Sequence, residues 1–217
     1  MAELRDPKET GAHVNRAGSY SVEIYERWAK ENNIPAKEIQ DNRDVLRMAA
    51  MLHDVGKVAI SDQILKKPAR LTEEEFDIMK QHTFFGARLF MDKKSDFDEA
   101  AAEVALSHHE WWNGEGYPGH VDLAATGPGM SFSVQQLQPR GRKGEEIPLF
   151  GRIVAIADVY DALASKRAYK EAWDEADIVK TMEQSAGQQF DPALIEVFLS
   201  SLDVMRSIQQ RYPDRED

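Results

Sequence analysis

Apolar positions recur at helical spacing through most of the chain, and no stretch of useful length alternates with the period of a strand. Val14, Ala17, Val22, Tyr25, Trp28 and Ala29 predict a first long helix over 10–30, stopped by Asn32-Asn33-Ile34-Pro35. A second helical run over 41–53 ends in His53-Asp54-Val55-Gly56-Lys57, where glycine stops the pattern. Residues 56–70 read as a connection, because Pro68 discourages helix. Thr72 with Glu75 is a capping-box pair that opens a helix reaching His82, and a further helix covers 84–91. An alanine-rich helix over 98–109 ends in His108-His109-Glu110, after which Gly114, Gly116, Pro118 and Gly119 make a loop. From 119 to 146 there is no sustained periodicity, only glycine and proline with a candidate extended stretch at 131–137. Helix returns over 149–165 as a nearly all-apolar cylinder, which belongs at the centre of a bundle. It resumes over 174–185, and Asp191-Pro192 caps and opens a last helix reaching Gln210. The pattern predicts an all-α fold: one domain over 1–210, interrupted by a loop at 119–146 and followed by a polar tail at 211–217.

Two features do not suit a bare scaffold. Of the six histidines, all but the loop residue His120 fall at or near predicted helix ends: His13, His53, His82, His108 and His109. Asp158 lies inside the most apolar helix, where a buried carboxylate requires a cation or strong donors. Glu9 precedes His13 by one helical turn. Any one of these histidines would serve as a helix cap; together with Glu9, Asp54 and Asp158 they offer ligands for more than one cation. The chain has no cysteine. That leaves nitrogen and oxygen ligands, which suit iron or manganese without excluding zinc or nickel, and it fits a reducing cytoplasm.

Charge narrows the partners. Lys plus Arg is 27 against 38 for Asp plus Glu, a net charge of -11, which argues against a DNA or RNA polymer. A phosphate substrate would need local positive charge, from cations and a few placed Lys and Arg side chains. No apolar run is long enough to span a bilayer and the first residues lack a signal-peptide core, so the expected location is cytoplasmic, with no membrane partner.

The ordered set Glu9-Thr10-Gly11-x-His13, His53-Asp54-x-Gly56-Lys57, His82, His108-His109-Glu110, Gly114-x-Gly116-Tyr117-Pro118, Ile156-Ala157-Asp158-x-x-Asp161-Ala162-Leu163, Arg167-x-Tyr169-Lys170 and Phe190-Asp191-Pro192 resembles the HD-GYP phosphodiesterases. These belong to the HD superfamily of metal-dependent phosphohydrolases, and the resemblance covers 9–198. It implies an all-helical bundle with a di- or trinuclear metal centre in its core. It also implies hydrolysis of the bacterial messenger cyclic di-GMP to linear pGpG, to GMP, or to both. The resemblance makes His53, Asp54, His82, His108, His109 and Asp158 the dinuclear ligands, with Asp54 as the bridging carboxylate, and Glu9 and His13 the extra ligands of a trinuclear subgroup. Arg167 and Lys170 take the place of phosphate-binding residues, and Lys57 that of the lysine beside the metals. Asp54 and Lys57 are therefore the catalytic candidates, Lys57 neutralising charge that develops on the phosphoryl group.

Tyr117 is a candidate to stack on a guanine or to dock a partner such as a diguanylate cyclase domain. Asp161, one turn past Asp158, is expected to touch a third metal or to support a ligand, and Glu110 to orient a ligand histidine or cap its helix. The chain departs from the family pattern at Asp6, which stands three residues before Glu9. It departs again at 119–142, where a longer link precedes the Lys143-Gly144-Glu145-Glu146-Ile147-Pro148 stretch. Two other readings stand beside the leading one: an HD hydrolase for another cyclic dinucleotide or nucleotide, and a metal-stabilised signalling module that binds ligand or partner with little turnover.

Overall fold

The computed structural model of the protein describes residues 11–92, 94–123, 141–165 and 173–214. Among these the secondary structure is helical: α1 (Gly11–Glu31), α2 (Ala36–Met51), α3 (Asp62–Leu65), α4 (Glu73–Arg88), α5 (Asp96–Ser107), α6 (Leu149–Ala164), α7 (Glu175–Gln184), α8 (Pro192–Ser200) and α9 (Leu202–Arg211). Short 3₁₀ turns at Val55–Ala59 and Gly144–Glu146 follow α2 and precede α6. No described helix is long and apolar enough to cross a membrane.

The apolar cylinder predicted at 149–165 is the central helix. α6 buries Ile153, Val154, Ile156, Ala157, Tyr160 and Leu163 and packs against α1, α5, α7 and α8. Tyr160 lies between Tyr20 of α1 and Phe198 of α8, with ring centroids 5.1 Å away on each side and the planes steeply inclined. Such edge-to-face pairs contribute about 0.5–1.5 kcal/mol each beyond the area they bury. α1 turns toward this core a stripe of His13, Arg16, Ala17, Tyr20, Ser21 and Ile24. Val14 and Val22, which the hydrophobic pattern put on the stripe, are only half-buried.

One close approach decides where the polar residues gather. A side-chain carbon on Gly56 would lie 1.9 Å from the His82 carbonyl oxygen and 2.4 Å from the Gly86 nitrogen. The 3₁₀ turn therefore lies directly on α4, and His53 and Asp54 are delivered beside His82.

Several boundaries differ from the sequence expectation, each for a local reason. α2 starts at Ala36, straight after Pro35, because its first turns are polar and exposed and give no apolar signal. It stops at Met51, so His53 and Asp54 stand in the turn after the helix and not on it. α4 runs unbroken through Thr83, whose hydroxyl donates to the Lys80 carbonyl and keeps this β-branched residue in the helix. The single helix expected over 192–210 is divided at Ser201, whose hydroxyl bonds the carbonyls of Phe198 and Val197 in competition with the helical pattern.

Candidate metal centre

Two groups of potential ligands face each other in the core: Asp54, His82, His108 and His109, and His13, His53 and Asp158. Within each group the ligand atoms lie within 4.8 Å of one another. α1 supplies His13, the turn after α2 supplies His53 and Asp54, and α4 supplies His82. The end of α5 supplies His108 and His109, and α6 supplies Asp158.

Hydrogen bonds at the far side of the rings fix what each imidazole presents. His53 Nδ1 lies 2.7 Å from the Ala50 carbonyl and His82 Nδ1 2.7 Å from the Met79 carbonyl. His108 Nδ1 lies 3.0 Å from the Val104 carbonyl and 3.1 Å from that of Ala105. A carbonyl only accepts, so the proton is assigned to Nδ1 and each neutral ring turns an Nε2 lone pair inward. Burial, and next the crowding by neighbouring imidazoles, holds His109 well below the ordinary histidine range; burial lowers His108 too. Burial alone would push the Asp54 carboxyl up. The Lys57 ammonium beside it counters this, and Asp54 is held well below the usual carboxylate range.

Asp54 divides its oxygens between the groups. Oδ1 lies 3.1 Å from His82 Nε2 and 3.6 Å from His108 Nε2, while Oδ2 lies 3.2 Å from His53 Nε2 and 2.5 Å from Lys57 Nζ. Asp158 Oδ1 lies 3.7 Å from both His53 Nε2 and His13 Nε2. Lone pairs thus converge on carboxylates, acceptor against acceptor, and no hydrogen bond of good geometry reaches the buried Asp54 Oδ1. Cations resolve that conflict. Two donors each about 2.1 Å from a shared ion lie roughly 3.0–3.5 Å apart, close to the separations observed here, so the residues fit divalent ions held by nitrogen and oxygen.

A protein-family model described as an HD domain matches residues 10–163, and a second HD domain model matches 138–194. The chain belongs to the HD domain family. It is 38% identical over 219 residues to a cyclic di-GMP phosphodiesterase of Vibrio cholerae serotype O1, covering 99% of this chain and 40% of that protein. It is 37% identical over 216 residues to a cyclic di-GMP phosphodiesterase of Thermotoga maritima, covering 100% of this chain and 50% of that protein. It is also 37% identical over 207 residues to the 3'3'-cGAMP-specific phosphodiesterase 2 of Vibrio cholerae, covering 95% of this chain and 34% of that protein. The chain thus spans a third to a half of the length of these relatives. A crystal structure of a cyclic GMP-AMP-specific phosphodiesterase of V. cholerae superposes with a TM-score of 0.52 at 20% identity, covering 94% of this chain and 51% of that one. That likeness bears on the fold alone.

Other predicted residues of this HD domain fall into place unevenly. Tyr117 stacks on His109 with centroids 4.8 Å apart and the planes inclined by 28°, and it meets Phe76 edge-on at 5.9 Å. Glu110 does not hold a histidine. Its buried carboxylate accepts the backbone N–H of Gly119 at 2.6 Å and of Arg142 at 2.9 Å, so it ties the two ends of the longer link together beside the Tyr117 turn. Burial pushes this carboxyl up to about 7 in spite of those donors. Trp112 is half-buried with the Arg152 guanidinium 5.7 Å from its ring, and its backbone N–H donates to the Gln189 carbonyl. His120 is exposed, as expected of a loop residue. Asp6, Glu9, Arg167 and Lys170 lie outside the described residues, as does 131–137.

The expectation that Asp158 is buried needs correction. Its side chain keeps 18% of its surface exposed; the buried carboxylate of α6 is Asp161, one turn on, at 2%. Asp161 accepts from His13 Nδ1 and from Arg16, a residue the sequence reading passed over. Burial would raise Asp161, but the hydrogen bonds from His13 and Arg16 hold it below the ordinary aspartate range. The signal for Arg16 was present: it is a charged residue at a position of the α1 stripe that packing otherwise gives to apolar side chains.

Proposed function

We propose that this HD domain hydrolyses the phosphodiester bonds of a cyclic dinucleotide, cyclic di-GMP before others, to linear pGpG, to GMP, or to both. The observation that carries this reading is Asp54: one carboxylate with an oxygen directed at each group of inward-facing imidazoles and an ammonium at its edge. His13, His53, Asp54, His82, His108, His109 and Asp158 would hold two divalent ions, and Glu9 would join His13 for a third. Iron or manganese suits such a nitrogen and oxygen donor set. Bound divalent ions supply a nucleophile at neutral pH and neutralise charge on the phosphoryl oxygens.

The chain's own residues do the rest. Lys57 keeps 23% of its side-chain surface exposed beside Asp54, so its ammonium faces both the carboxylate and an arriving phosphate. There it neutralises charge that builds up in the transition state. Arg167 would grip a phosphate oxygen pair with its planar fork and Lys170 would add a point charge. Tyr117, seated on His109, offers a ring edge and face to a guanine at the rim. Relatives named for cyclic di-GMP and for 3'3'-cGAMP match at nearly equal identity, which supports the cyclic dinucleotide class more strongly than one member of it. The absence of cysteine supports action in a reducing cytoplasm.

Anaerobically purified protein, its metal content measured on the same sample, is incubated with cyclic di-GMP and separately with 3'3'-cGAMP, and the products are separated by chromatography. GMP or pGpG from the first is the expected result. Turnover of 3'3'-cGAMP alone would move the substrate within the class, and no product from a fully metallated sample would overturn the reading.

A further inference from the structure

His53, His82 and His108 each hold Nδ1 on a carbonyl three or four residues earlier in their own helix or turn. His13, near the start of the described part of α1 (Gly11–Glu31), makes a contact of another kind. Its Nδ1 is met instead by a side chain from another helix, Asp161 Oδ2 of α6 at 2.9 Å.

Asp161 is itself held. Arg16, fully buried and one turn after His13, clasps both carboxylate oxygens, with Nε 2.5 Å from Oδ1 and Nη2 3.0 Å from Oδ2. Nη2 also donates to Ser165 Oγ at 2.9 Å. The remaining nitrogen, Nη1, donates to the Tyr212 carbonyl at 2.7 Å and lies 2.9 Å from Asp214 Oδ1. Tyr212 and Asp214, in the predicted polar tail, are therefore bound to the guanidinium that grips Asp161.

Stability is a weak reason for this arrangement. Well-packed apolar side chains of similar volume often serve a core as well as a buried ion pair, or better. An apolar substitute could not orient an imidazole. We propose that Arg16 and Asp161 are positioning residues that fix His13 with Nε2 turned toward His53 and Asp158, with the segment after α9 completing the grip on Arg16. The inference rests on the metal-centre reading above. Because both oxygens of Asp161 are engaged by the fork, the carboxylate can neither rotate away from His13 nor leave Nε2 as the protonated nitrogen. Partners of this kind typically change metal affinity about 10–100-fold when removed.

The test is a Mn²⁺ titration of the full chain by calorimetry, comparing wild type, Asp161→Asn and Arg16→Lys. His82→Ala, which strips a ligand from the other group, assigns the binding classes. Asp161→Asn should weaken the class belonging to His13, His53 and Asp158 about 10–100-fold and leave the class belonging to Asp54, His82, His108 and His109 unchanged. Arg16→Lys keeps the charge and loses the fork, so it should weaken the same class alone; it decides the matter if Asp161→Asn does not fold. Long-range nitrogen–proton spectra of the Zn²⁺-loaded protein should show the His13 Nδ1–H resonance lost or shifted in Asp161→Asn, an effect that general loosening of the fold would not confine to one ring. Unchanged affinities, or equal weakening of both classes, would overturn the positioning role while leaving the metal centre standing. A wild-type chain that takes up no Mn²⁺ would overturn both.

Discussion

Lys57 and Asp54 share one short contact but have separable roles. The ammonium lowers the cost of a buried carboxylate and, on the proposed reading, also neutralises charge on a phosphate oxygen at this partly exposed edge. Lys57→Ala should therefore lower kcat on cyclic di-GMP about a hundredfold while Mn²⁺ content stays at the wild-type level; steady-state kinetics with metal analysis on the same sample checks both. Asp54→Asn should behave differently. It removes the charge that both groups of imidazoles face, so Mn²⁺ should be lost from both classes in the same titration. If the variant kept one class intact, Asp54 would belong to a single ion and not to two. The sequence placed Lys57 beside the candidate ligands; its contact with Asp54 and the division of the two carboxylate oxygens were not legible there.

At the scale of elements, the centre is where the start of the described α1, the turn after α2, the interior of α4 and the end of α5 are brought onto one central helix. Gly56 is the position that makes this possible, because the 3₁₀ turn and α4 approach too closely for any side chain. Gly56→Ala forces backbone against backbone and should cost about 2–3 kcal/mol, read as a lower midpoint in urea unfolding, with Mn²⁺ binding weakened in the folded fraction. Gly11→Ala is the matched control. Among the described residues nothing lies within 4 Å of an added side-chain carbon there, and the helix gains a better former, so stability should hold or rise by up to about 1 kcal/mol. The long helices were readable from spacing because each buries one face. The joints were not: the continuous α4, the division at Ser201 and the turn carrying His53 and Asp54 depend on single hydrogen bonds and on what the helix meets.

For the whole molecule, inward-facing lone pairs on buried rings make the metal-free core an unfavourable arrangement of acceptors, and ions that bind only the folded chain should stabilise it. Mn²⁺ at about a hundred times its dissociation constant adds about 2.7 kcal/mol, which for a chain of this size raises Tm by roughly 5–10 °C. Scanning calorimetry of chelator-treated protein, with and without added Mn²⁺, measures this directly. Equal Tm values would count against ions being part of the folded core.

The sequence by itself determined the helical class, the central position of 149–165 and the ligand types, because hydrophobic period, the lack of cysteine and the residues at predicted helix ends are local properties of the chain. It also carried the family, through motifs spread along its length. Only the tertiary structure decided which histidines share a group, that Asp158 is partly exposed while Asp161 is buried, that Glu110 ties a loop and that Arg16 connects His13 to residues 212–214. Those outcomes depend on separations between atoms far apart in the chain. Helical spacing specifies which face a side chain occupies but not what the facing helix places against it.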